Sequence, residues 1–163
     1  MTNRYQRWFE YERDSHAKTL ASLRDVPDER RSTAAFQKAA DLFAHMMAAR
    51  HLWLFRLGAT GEAPREVFPQ GVDVESLDSL AEEMHAMWTD YLDRLDESEL
   101  SRAFEYRSLE GDLFTNSIED ILTQLFGHSW YHRGQIAQLI RSIDCQPAVT
   151  DFVYWTREPV RGE

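Results

Sequence analysis

His128 and His132 stand four residues apart in Leu125-Phe126-Gly127-His128-Ser129-Trp130-Tyr131-His132-Arg133-Gly134-Gln135-Ile136, a stretch whose apolar pattern is helical. Side chains at that spacing stack on one helical face, close enough to share one ion. Leu125, Ile136 and Leu139 fall on the same side, so both imidazoles are expected to point inward. Neutral imidazoles directed into an apolar interior leave polar nitrogens without water unless something binds them. A histidine pair alone is commonly structural. The chemistry the spacing offers beyond that is a divalent metal site completed from another segment.

A catalytic site of the zinc type takes three protein ligands and keeps one position open. The remaining histidines are His16, His45, His51 and His85. His45 has Leu42, Ala49 and Leu52 near its face in the most apolar segment of the chain, which makes it the strongest candidate on environment. His51 lies well around the helix from it, His85 falls on a boundary or exposed strip with Asp78, Ala81 and Thr89, and His16 fits either setting.

Four long periodic segments must carry these residues. Apolar positions recur at intervals of three and four from about Asn3 to Leu23, and Pro27 ends that helix. A second helix, capped near Ser32 or Thr33, runs to Leu57 with Gly58 as its stop. The long connection from Ala59 to Val74 carries Gly61, Pro64, Pro69 and Gly71, and connections of that length often border a site. A third helix follows a cap near Ser76 and continues through Leu95, with Asp78, Glu82, Glu83, Asp90 and Asp93 on a solvated face. The periodicity changes over Phe104 to Phe114 around Gly111, which suggests a short hairpin or ordered loop. The last long helix, capped by Asn116 or Ser117, extends to about Ile143, and a tail from Pro147 to Trp155 packs back through Val149, Phe152 and Val153. There is no internal repeat or low-complexity region. The expected architecture is an all-α four-helix bundle, a single domain over residues 1–163, with simple up-down and crossover connections both open.

Composition narrows the function classes. The 163 residues are 43% hydrophobic, enough for a self-sufficient core without metal. The formal net charge is −10, and no basic face of the kind a nucleic-acid duplex requires is evident. Cys145 is the single cysteine, which rules out an intrachain disulfide and fits a reducing compartment. No apolar run approaches the ~20 residues of a membrane span. A cytoplasmic protein is expected.

Two stretches carry a resemblance to a known family. Leu42-Phe43-Ala44-His45-Met46-Met47-Ala48-Ala49-Arg50-His51-Leu52-Trp53-Leu54 is one; His128-x-x-Tyr131-His132-Arg133-Gly134-Gln135-Ile136, with the later Pro147 and Thr150-Asp151-Phe152, is the other. Together they resemble the DinB (DinB/YfiT-like) family over almost the whole chain. The resemblance implies a four-helix bundle binding nickel or zinc through three histidines, here His45, His128 and His132. It also implies homodimers and, in some relatives, transfer of a low-molecular-weight thiol or thiol-assisted isomerisation. The sequence departs from a frequent family pattern at Arg50-His51, where an acidic residue often stands, and this puts any supporting role of those two positions in doubt.

An open coordination position would take water or a substrate thiol, giving a thiol transferase or isomerase, with a hydrolase as the near variant. A non-catalytic, stress-associated metal-binding bundle is the alternative from another class. Around the ligands, Gln135 and Tyr131 are the candidates for a supporting role; Gln135 could orient an imidazole or a bound water, with a surface or boundary amide the equal alternative. Tyr131 is more readily packing than an acid, and Arg133 reads as a surface or interface residue. Gly134 is expected to mark close helix packing, at a cost of ~1 kcal/mol relative to alanine. Met46, Met47, Met84 and Met87 fit core packing, and Cys145 is read as incidental.

Overall fold

The computed structural model describes residues 4–160. Four long helices dominate it: α1 (Arg4–Arg24), α3 (Ala34–Arg56), α4 (Leu77–Arg94) and α5 (Ile118–Ser142). Two short ones, α2 (Asp28–Arg31) and α6 (Phe152–Thr156), flank them, and a hairpin of β1 (Ala103–Arg107) and β2 (Leu113–Ser117) precedes α5. The all-α bundle with a hairpin before the last long helix is as expected. The two short helices are additions.

Local chemistry sets the helix ends. The Thr33 hydroxyl accepts from the Phe36 amide at 3.3 Å and Ser117 accepts from that of Asp120 at 3.0 Å, each satisfying an amide the helix leaves unpaired. Ser76 instead closes a 3-10 turn over Val74–Ser76, and its side chain caps nothing. Gly58, at φ +74°, takes the left-handed conformation that ends α3.

Packing is not sequential. α1 contacts α4 and α5, and α3 contacts the same two, so α1 and α3 face each other across a diagonal, as do α4 and α5. This excludes a bundle in which each long helix packs mainly on its predecessor. The core between them holds Phe9, Phe43, Met46, Met47, Met84, Trp88 and Phe126. The hairpin is antiparallel with Glu105 opposite Thr115, turns at Gly111 (φ +98°), and docks through Tyr106, whose ring lies 4.8 Å from that of Trp53 on α3.

The tail packs back through only part of the expected set. Phe152 meets Tyr11 at 5.0 Å and Trp155 meets it at 5.8 Å, but Val149 and Val153 face outward. A five-residue helix has too few turns to bury more than one face.

The connection from α3 to α4 is pinned at two points. Asp41 Oδ1 accepts from the Val72 amide at 3.0 Å and from Gln37 Nε2 at 2.9 Å. Further along, the Val67 carbonyl accepts from His45 Nδ1 at 2.6 Å. The connection is thereby held over the open end of the α3/α5 interface.

Candidate metal centre

His45 projects from the middle of α3, and His128 and His132 from successive turns of α5. The structure brings the three together. Nε2 of His128 lies 3.2 Å from Nε2 of His45 and 3.0 Å from Nε2 of His132. One ligand atom from each lies within 4.8 Å of the others, and among the described residues this is the one such group of three or more His, Cys, Asp or Glu. Donors sharing a tetrahedral ion at 2.0–2.1 Å sit about 3.3 Å apart, so the spacing is compatible with metal binding.

The outer nitrogens explain why the inner ones converge. His45 Nδ1–H is used by the Val67 carbonyl, and His132 Nδ1–H by Gln135 Oε1 at 2.7 Å. Each of those rings then presents an unprotonated Nε2 to the cluster. A proton on His128 Nε2 can point at only one of them, so at least one inward lone pair is left without a donor. A cation at the centre would take up that lone pair, and fixing the tautomer from outside is how such ligands are prepared. The donor chemistry fits a borderline divalent ion.

Electrostatics favour the same state. Burial, reinforced by the neighbouring His132 and His45, holds the His128 imidazole down at about 4. Burial also lowers His132, against the raising effect of its Gln135 bond. Both rings are therefore neutral and ligand-competent near pH 7.

Beside the cluster opens a pocket of about 610 Å³ between α3 and α5, roofed by Phe68, Pro69 and Gln70. His45 and His132 form part of its wall. The Phe68 ring stacks on His45 with centroids 4.7 Å apart and planes within 14°, although Phe68 remains 57% exposed. Tyr131 also lines the pocket and is 64% exposed, so it is not core packing, and its ring meets that of His132 edge-on with centroids 5.2 Å apart.

Other sequence-derived positions fall elsewhere. His16 is fully buried and pairs with His85, Nδ1 to Nε2 at 2.9 Å with rings stacked, while His51 stands outside the cluster. Arg133, expected at the surface, is 4% exposed and donates to Tyr11 Oη at 2.8 Å. The close packing expected at Gly134 is absent: a Cβ there would meet nothing within 4 Å, because the residue opens onto a groove with Trp130 and Phe152. Cys145 is a half-buried free thiol outside the cluster. Arg50 forms an ion pair with Glu12 in the bundle interior, a structural role the sequence did not indicate.

Sequence reasoning did not find Lys38, Asp41, Phe68 or Gln138 in the pocket wall. Asp41 carried a signal, since it precedes His45 by one helical turn on the same face. Phe68 carried none, because loop residues have no period.

No curated protein and no solved structure matches the chain. The model of the DinB family does, over residues 1–159, and the histidines of both stretches lie within the match. The chain belongs to the DinB family.

Proposed function

We propose that His45, His128 and His132 bind one divalent ion, nickel or zinc, through their Nε2 atoms. In this reading the protein is a metal-dependent enzyme that transfers a low-molecular-weight thiol to a small electrophile, or isomerises that electrophile with the thiol's help. The observation that carries the reading is the convergence of three imidazoles, two of which, His45 and His132, also line an open pocket. Open access favours catalysis over a purely structural or storage site, which would be closed to exchange. When bound, such an ion supplies a Lewis acid that stabilises a thiol in its ionised form.

The chain's own residues do the rest. Gln135 and the Val67 carbonyl hold two imidazoles by their outer nitrogens, so the inner nitrogens keep their aim. Phe68 and Leu42 give one side of the pocket an apolar wall. The histidines act as ligands and not as acid–base groups.

Elemental analysis of purified protein, combined with anomalous scattering from crystals, identifies the ion and its ligands. Thiol-dependent consumption of electrophiles, measured with and without metal, tests the reaction. Absence of turnover by loaded protein across a broad thiol panel counts against the transferase form.

The proposal includes a homodimer in the cytoplasm. Trp130, Val149, Val153 and Tyr154 expose large apolar surfaces near the tail. Light scattering at micromolar concentration should give twice the 19.1 kDa chain mass.

A further inference from the structure

The pocket beside the cluster is a groove with direction. Its α3 wall runs backward from His45 through Leu42 and Asp41 to Lys38, and its α5 wall runs forward from His132 through Gln135 and Leu139 to Ser142. The two helices are therefore antiparallel along it, and both walls lead the same way from the histidines. Lys38 lies two helical turns before His45, ~10 Å along the axis.

Lys38 is the cationic side chain of that wall, and among the described residues it has no hydrogen-bond or ion-pair partner. Asp41, also in the wall, forms no ion pair with it: it is 5% exposed, and its Oδ1 accepts from the Val72 amide and Gln37. Between Lys38 and the histidines the lining is largely apolar, with Leu42, Phe68 and Leu139, and Gln138 offers an amide. An unpaired ammonium at one end of an apolar groove, with a cluster of nitrogen donors at the other, selects for a particular outline of ligand.

We infer that the pocket takes an elongated small molecule with a metal-binding head at the histidines and a carboxylate, or another compact anion, about 10 Å away at Lys38. This rests on the metal reading above and adds the substrate class. Lys38 sets specificity by charge and distance and takes no part in bond making.

The test uses full-length protein loaded with cobalt(II), whose thiolate absorption reports the head group directly. The probes are ω-mercapto acids of three, six and eight carbons and their methyl esters. The eight-carbon acid, which spans the gap when extended, should bind about threefold to fivefold tighter than its ester, as for a partly exposed charge pair. The three-carbon acid should show no such preference. In Lys38→Gln the acid-to-ester ratio should fall to about one at every length.

A second readout follows from Lys18 and Lys38 being the only lysines in the chain. After reductive ¹³C-methylation, which keeps the charge, the long acid should shift the Lys38 resonance and leave that of Lys18 in place. Equal binding of acid and ester by the wild type, or a preference that survives Lys38→Gln, overturns the inference while leaving the metal site intact. Failure of cobalt to bind at all overturns the metal reading, and this inference with it.

Discussion

Glu12 and Arg50 form an ion pair with side chains 0% and 1% exposed, joining α1 to α3. The Arg50 guanidinium lies between the Trp88 and Phe126 rings, 4.9 and 5.0 Å from their centroids. Removing one partner leaves the other charge buried and uncompensated, which costs 3–5 kcal/mol in typical cases. Arg50→Met should therefore lower unfolding free energy by about 4 kcal/mol in urea titration. Adding Glu12→Leu to that variant should restore much of the loss, because an apolar pair of similar volume avoids the desolvation of both charges. A single Arg50→Met within 1 kcal/mol of wild type would show that the pair is solvated in solution.

The ligand assignment predicts an asymmetry among histidine variants. His128→Ala removes the ring that approaches both other Nε2 atoms and should abolish stoichiometric metal binding. His85→Ala should keep it, since His85 pairs with His16 and lies outside the cluster. Elemental analysis after dialysis against a weak chelator checks both. A His128→Ala protein with full stoichiometry and affinity would remove the assignment.

Gln135 offers a milder change. Its Oε1 accepts from His132 Nδ1, and the side chain is only partly buried. Gln135→Leu should weaken metal affinity by roughly 10–100-fold, the usual effect of losing such an outer bond. The melting temperature of the metal-free protein should change little. Competition against a fluorescent chelator measures the first quantity. An unchanged affinity would mean that packing alone sets the His132 ring.

Acid should destabilise the metal-free protein through its buried imidazoles. Burial holds His128 and His85 down at about 4 from the ordinary 6.5, and it pushes His16 well below its usual value. In the unfolded chain each takes its proton near 6.5. Between those values the unfolded state binds more protons, so stability is fully present above about 6.5 and is lost as pH falls towards 4. Melting temperatures of the metal-free protein across pH 7.5 to 4.5 should fall steadily, and a flat profile would contradict the burial of these rings. Metal should compete with protons only weakly near neutrality, since His128 and His132 are already neutral there.

Much of this was legible locally. Thr33, Gly58 and Ser117 marked helix ends because caps and stops depend on neighbouring amides and carbonyls. His45 stood out because its flanks were apolar, and the four-residue step from His128 to His132 follows from helical geometry alone. What stayed hidden depends on distant partners. Arg133 reads as a surface residue until Tyr11, 122 positions away, is placed against it. The diagonal placement of α1 and α3 has no local marker. α2 was obscured because Pro27 and the next cap leave it a single turn between two signals.

The bond from His45 to the Val67 carbonyl gives the α3–α4 connection a stake in the state of the cluster. A cation held at one edge of that imidazole polarises its other edge and strengthens its grip on the backbone beyond Arg65. The strap across the pocket can thus report on what the pocket holds. Tryptic nicking after Arg65 should slow on metal loading, with no movement required of any helix.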